Sequence, residues 1–322
     1  MKNKSYSFVG DTTYSLLLYL LYCSDEMLKN TIFYVGGNLA PCILPYKVVM
    51  PPLADFSDIT RIKYRLRCLK YRNKLSKSFI YAQDHLYFSA PLIDNLEYSV
   101  LEDCPNFFTA FNNHVEKKFR FTPSLGAYWY NFKVGRINGR HAGYNPWCIK
   151  RIVTTNSDKL LFGKLGLDCE QIHLQKLWDT SSSFKQEFIK NVYSLKIGED
   201  LLVKQVALFS QPLMEDAHMS PDEVVAIYKP YIDKYGADNV LVKLHPRDKF
   251  DYKKYFPGIA TLQTKAPQQL LSVMGIKFKT AITICSTAVS AMDKDCEIVW
   301  IGADVDKRIL DAYGYVRKPD QY

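Results

Sequence analysis

The sequence predicts an α/β fold built as two doubly wound layers. Three observations carry that prediction. The chain has 322 residues, more than one hydrophobic core comfortably serves, so two domains are expected. Short apolar runs alternate with stretches of helical periodicity, the pattern of strand–helix–strand units on a parallel sheet. In the C-terminal half, three of those runs end in short polar loops, where a doubly wound sheet takes its ligand.

The elements follow in chain order. Tyr6 to Val9 reads as a buried strand, Gly10-Asp11 as a turn, and Tyr14 to Cys23 as a buried helix. That apolar run of ten residues is about half of a bilayer span, and Tyr22 is too large for a cleavage site, so neither a membrane helix nor a signal peptide is expected. Ile32 to Val35 is a strand stopped by Gly36-Gly37, and Tyr46 to Met50 a strand stopped by Pro51-Pro52. A basic helix covers Asp58 to Lys77, with Ile59, Ile62, Leu66 and Leu69 as its apolar stripe, and Ser78 to Ala82 is the next strand. Residues 119–147 are rich in aromatic, glycine and basic residues, among them Trp129, Tyr130, Arg136, Arg140, Tyr144 and Trp147. They suit an acceptor-binding loop, or alternatively a structural hairpin or a subunit contact in a homodimer. The Ser181-Ser182-Ser183 stretch marks the linker, placing an N-terminal domain at 1–180 and a C-terminal domain at 181–322.

The C-terminal half is more regular. A helix is expected near Phe184 to Tyr193 and a strand at Gln205 to Phe209. Ser220-Pro221-Asp222-Glu223 has the cap, first-turn proline and capping box of a helix start, and Gly236 ends that helix. Asn239 to Leu244, Thr280 to Ile284 and Ile298 to Ile301 are strands; Pro267 to Met274, Thr287 onward and Val305 to Tyr313 are helical.

Composition bounds the function. Lys+Arg exceeds Asp+Glu, 42 to 33, and the net charge of +9 favours an anionic partner such as an acidic membrane face or an anionic sugar. No zinc-finger, RNP-like or helix-turn-helix signature accompanies it, so nucleic acid is not expected. The eight cysteines form no CxxC pair or zinc spacing, which points to free thiols in a reducing cytoplasm and to no metal. From Ile59 to Gln83 there is no acidic residue. The helix over 58–77 therefore either meets an anionic membrane peripherally or is a solvated basic face.

Three loops hold the candidate chemistry: Ser210-Gln211-Pro212, His245-Pro246-Arg247-Asp248 and Cys285-Ser286-Thr287. A histidine fixed by a following proline can donate to a phosphate, and Lys243 adds charge beside it. Ser286 and Thr287 open a helix, so they serve either as ordinary caps or as an anion site.

Lys243-Leu244-His245-Pro246-Arg247-Asp248 resembles the HP motif of bacterial sialyltransferases. Ser210-Gln211-Pro212-Leu213 and Ser286-Thr287 resemble their other donor loops. Leu101-Glu102-Asp103-Cys104 is similar to their acidic motif, with cysteine in place of glycine. The order is most similar to glycosyltransferase family 52, as are the opening strand–turn–helix and Tyr81-Ala82-Gln83-Asp84-His85.

The resemblance implies a GT-B fold, two Rossmann-like domains facing each other across a cleft. It also implies a CMP-sialic acid donor, no metal or cofactor, and a galactose-terminated lipooligosaccharide or capsule glycan as acceptor. On that basis Asp103 or Glu102 is expected as base, with Asp216 and Asp222 in reserve, and His245 as acid. Ser210, Gln211, Pro212, Lys243, His245, Pro246, Ser286 and Thr287 are expected at the donor. CDP-glycerol phosphotransferases and UDP-sugar transferases are the neighbouring alternatives.

Overall fold

A computed structural model of the chain describes residues 5–50, 58–83, 88–93, 96–103, 148–155, 168–198, 201 and 203–318. The aromatic segment 119–147 and the residues Asp84, His85 and Cys104 lie outside them. The chain divides into two compact units, Met1–Val192 and Tyr193–Tyr322.

Among the described residues, the first unit has seven parallel strands: β1 (Tyr6–Gly10), β2 (Thr31–Val35), β3 (Lys47–Val49), β4 (Phe79–Ala82), β5 (Tyr98–Leu101), β6 (Ile149–Thr154) and β7 (Cys169–Gln171). Their order is β3-β2-β1-β4-β5-β6-β7. The chain winds outward from β1 in one direction and from β4 in the other, so the topological switch falls between β1 and β4. Sequence periodicity foresaw the first four strands. It missed β5, β6 and β7, which are short or, like β6, interrupted by Lys150 and Arg151.

Helix α1 (Thr13–Tyr22) is apolar on all sides because all sides are covered: every residue from Tyr14 to Leu21 is buried. Thr12 caps its start by accepting from the Ser15 backbone N–H at 3.3 Å. Its end is held by Lys185, whose Nζ donates to the carbonyls of Leu21 and Cys23, both at 2.5 Å. An ammonium at a helix C-terminus also opposes the helix dipole.

Helix α2 (Asp58–Leu75) corrects an expectation. Tyr64, Cys68 and Leu75 face the core, joined by Tyr71, and Tyr64 Oη donates to the Phe88 carbonyl at 3.0 Å. The expected stripe is turned outward, with Ile62 46%, Leu66 63% and Leu69 57% exposed. Two apolar stripes compete on this helix. The one that combines a large ring with a satisfied hydroxyl takes the interior.

Helix α3 (Ser183–Val192) is the crossover helix expected near Phe184 to Tyr193. It packs with the first unit, where Lys185 clasps α1 and the Ile43 N–H donates to the Val192 carbonyl.

The second unit carries five parallel strands: β8 (Val206–Phe209), β9 (Val240–Lys243), β10 (Ala260–Leu262), β11 (Thr280–Thr283) and β12 (Glu297–Trp300), in the order β10-β9-β8-β11-β12. Its switch falls between β8 and β11. Helix α4 (Pro221–Tyr235) starts at the expected capping box. The Glu223 N–H reaches Ser220 Oγ at 3.4 Å and the Ser220 N–H reaches Glu223 Oε2 at 2.8 Å. Gly236 stops it with φ 80°, a conformation that favours glycine. The helix buries Val224, Tyr228 and Ile232 at i, i+4, i+8 against Leu208, Val242 and Ile282 of the sheet. Helices α5 (Gln268–Val273) and α6 (Lys307–Tyr313) complete the layer, α6 capped by Asp306. Cys23, Cys68 and Cys285 are buried, and no described cysteine forms a disulfide.

Candidate functional site

Both sheets gather their polar groups where the switch points predict. In the second unit, the loops after β8 and β11 flank the switch, and the loop after β9 lies on the other side of β8. The geometry is built on Ser210, which is 3% exposed. Its Oγ accepts from the His245 backbone N–H at 2.9 Å and its hydroxyl also bonds Asp248. Asp248 accepts in turn from the Phe250 N–H and from Tyr252 Oη, both at 3.1 Å. The β8 and β9 loops are thus tied together beneath the imidazole.

His245 Nδ1 accepts from the Arg247 backbone N–H at 3.2 Å. That contact assigns the proton of the neutral ring to Nε2. Burial and then the Arg247 charge pull His245 below the ordinary imidazole range; Asp216 and Asp248 pull the other way. Pro246 restricts the residue before it to extended backbone, which keeps His245 where β9 delivers it.

Lys243 ends β9 with its Nζ 5.8 Å from the centre of the Phe209 ring. Burial pulls its ammonium down to about 8. Ser286 accepts from the Ala288 N–H at 3.3 Å and opens a five-residue 3₁₀ helix, Thr287–Ala291. The short helix expected from Thr287 onward is this turn. Gln211 is 9% exposed, and its carbonyl accepts from the Leu213 N–H at 2.8 Å, starting the helical turn Leu213–Asp216 behind Pro212.

Of the two reserve carboxylates, Asp216 is engaged and Asp222 is exposed. Arg247 grips Asp216 with a two-pronged contact at 2.6 and 2.8 Å, and Tyr313 Oη donates to it at 3.1 Å. The Arg247 guanidinium first, with Tyr313, holds the Asp216 carboxyl below the usual range, which makes it a weak base. Asp222 sits exposed in the first turn of α4, where an acid favours the helix.

In the first unit, the switch loops are Gly10-Asp11-Thr12 after β1 and Gln83 after β4, with Glu102-Asp103 after β5. Glu102, one of the two candidate bases, lies in the interior. It is 0% exposed. It accepts from Tyr14 Oη, Thr155 Oγ1 and the Thr155 N–H, each at 2.7 Å, and from Thr154 Oγ1. Burial pushes its carboxyl up while these donors pull it back. Asp103, one residue on, is half-buried and accepts from Gln83 Nε2. Asp11 is held by the Asn38 N–H at 2.9 Å and Asn38 Nδ2 at 3.2 Å. Burial pushes the Asp11 carboxyl up, against its hydrogen bonds, and the Asp103 charge adds to the rise.

Sequence reasoning passed over Asp11, Tyr252 and Tyr313, and gave Asp248 a place in a candidate loop but no role. The available signal for Asp11 was its place directly after a predicted strand; for the others only the fold makes the contact.

Two parallel, doubly wound units with polar loops at their strand ends are the architecture of the GT-B fold. Residues 53–303 match the model of glycosyltransferase family 52, and the chain belongs to that family. An uncharacterized protein of Haemophilus influenzae is 27% identical over 313 residues, covering 94% of this chain and 95% of its own. The fold is similar to the GT-B domain of a Photobacterium damselae sialyltransferase, with TM-score 0.60, 12% identity, and 92% and 90% of the two chains covered. It is also similar to a Photobacterium sp. JT-ISH-224 2,6-sialyltransferase solved with CMP and lactose, with TM-score 0.61, 10% identity, and 92% and 70% covered.

Proposed function

We propose that this glycosyltransferase moves sialic acid from CMP-sialic acid to a galactose-terminated surface glycan, lipooligosaccharide or capsule, by a metal-independent inverting displacement. The observation that carries this reading is His245. Its Nδ1 is occupied by the Arg247 N–H, so its Nε2 is the proton-bearing atom, on a loop tied to the one that presents Ser210. A phosphate monoester leaving group needs such a donor, because its charge grows as the sugar departs.

In this reading the acceptor hydroxyl gives its proton to the Asp103 carboxylate. The oxygen forms a bond to the anomeric carbon while the bond from that carbon to the phosphate oxygen breaks. CMP leaves with a proton or hydrogen bond from His245, and Ser286 and its neighbouring N–H groups stabilise the same charge. One face attacks as the other departs, so the anomeric centre inverts. The test offers purified enzyme CMP-sialic acid, CDP-glycerol and UDP-sugars in separate assays with a galactose-terminated acceptor. Turnover with CMP-sialic acid alone is expected; turnover with CDP-glycerol or a UDP-sugar instead removes the sialyl assignment.

Lys243 brings a pH dependence. In the free enzyme its ammonium loses its proton as pH rises through about 8, so a cytidine phosphate loses a cationic partner above that pH. Calorimetric titration of CMP between pH 6.5 and 9.5 is expected to show affinity falling above about 8 in the wild type. Lys243→Met binds more weakly and without that fall. Identical pH profiles in the two proteins remove Lys243 from the donor site.

The acceptor class adds a membrane. Helix α2 turns Ile62, Leu66 and Leu69 outward among exposed Lys63, Arg67, Lys70 and Lys74. Apolar side chains among cations suit peripheral contact with an anionic leaflet on its cytoplasmic side. No described helix is long and apolar enough to cross a membrane. Sedimentation with vesicles containing phosphatidylglycerol is expected to carry the protein down, and a Leu66→Ser/Leu69→Ser double variant to stay in solution. Equal sedimentation of both removes α2 as the contact.

A further inference from the structure

We propose that Gln83 is a positioning residue that fixes the Asp103 carboxylate at the switch point of the N-terminal sheet and favours its ionised form. The kinetic consequence rests on the reading of Asp103 as base; the structural claim does not.

Gln83 follows β4 directly, and its own backbone N–H donates to the Val9 carbonyl at 2.9 Å, which locks it in register with β1. Its side chain is 0% exposed. The amide oxygen accepts from the Asp11 N–H at 2.9 Å and the Thr12 N–H at 3.4 Å. Backbone N–H groups only donate, so they dictate which end of the amide faces them. The amide nitrogen must then point the other way, where it donates to Thr12 Oγ1 at 3.1 Å and to Asp103 Oδ1. Asp103 is therefore met by a donor whose orientation is set by backbone on the neighbouring strand.

Gly10 makes room for this. A Cβ there would come within 3.0 Å of Gln83 Oε1 and 2.6 Å of Phe8 Cζ, so a side chain would push the amide off its anchors. Gly36 does the same for Asp11, whose Cγ would lie 2.3 Å from an added Cβ. Two glycines at strand ends thus let the polar groups of three strands converge.

An N–H donor favours the ionised carboxylate and lowers the pH at which it takes up a proton. The charge of Asp11 acts against that of Asp103. Glu102 is saturated by Tyr14, Thr154 and Thr155, and Asp11 is held by Asn38. Gln83 Nε2 donates to Asp103 itself.

The test uses the full chain. Carbon-13 labelling of aspartate carboxyls, with Asp103→Asn to assign the signal, gives the Asp103 titration midpoint without any substrate. In Gln83→Leu that midpoint is expected to rise by about one pH unit, through loss of the donor. In Gln83→Glu it rises further, because a second carboxylate then faces it. An Asp103 midpoint that is the same in all three proteins overturns the proposal.

Kinetics supply the second arm. Gln83→Leu is expected to lower kcat about 10- to 100-fold, leave the KM for the donor within about twofold, and move the acid limb of the kcat/KM profile upward. In an Asp103→Asn background the same substitution should cost nothing more. An equal loss in both backgrounds, or a loss matched by a fall in Tm, shows that Gln83 acts on the fold rather than through Asp103. A shifted NMR midpoint with fully active Asp103→Asn keeps the Gln83 contact and removes Asp103 as base.

Discussion

His245→Ala is expected to lower kcat for sialyl transfer by about 10²–10⁴-fold, the range for loss of a positioned acid. The fold should survive. The contact that joins the β8 and β9 loops runs from the His245 backbone N–H to Ser210 Oγ, and alanine keeps that N–H. The ring contributes only an Nδ1 acceptor to the Arg247 N–H, a group near the surface that water can satisfy. Circular dichroism and Tm should therefore match the wild type while turnover collapses. A donor carrying a leaving group that departs without protonation should restore much of the rate in the variant. Full activity of His245→Ala with CMP-sialic acid ends the acid assignment. A loss that the activated donor does not relieve moves His245 from acid to donor binding.

Asp103→Asn is the second large effect, with kcat expected to fall by about 10²–10⁴-fold through loss of the base. The change is isosteric, and its remaining amide oxygen still accepts from Gln83 Nε2, so the switch loops keep their shape. The KM for CMP-sialic acid should stay within about twofold, because the candidate donor loops belong to β8, β9 and β11 of the other unit. The residual rate should also lose the acid limb of the wild-type pH profile. An unchanged rate moves the base elsewhere. Asp11 is then the carboxylate to test, since Asp216 is gripped by Arg247 and Tyr313.

The candidate C-terminal loops were legible because their signals are local. A capping box, a proline after a histidine and a serine at a helix start each dictate geometry within a few residues. Their sites after β9 and β11 follow from the strand periodicity that precedes them. The N-terminal site was only half legible. Glu102 and Asp103 are adjacent and chemically alike, yet the chain leaving β5 buries one and leaves the other half-buried. Nothing in their spacing distinguishes the buried one until Tyr14, Thr154 and Thr155 arrive from other elements.

Helix α2 shows the same division. The sequence by itself determined that residues 58–75 are helical and basic, because propensity and periodicity act over one or two turns. The tertiary structure decided which of its two apolar stripes goes inside, since Tyr64 has a carbonyl to meet at Phe88 and Leu66 does not. Likewise, the run of strands and helices was written in the sequence, whereas the union of Asp11, Gln83 and Asp103 was not. Those three residues lie on separate strand ends, and only the winding order of a parallel sheet brings separate strand ends together.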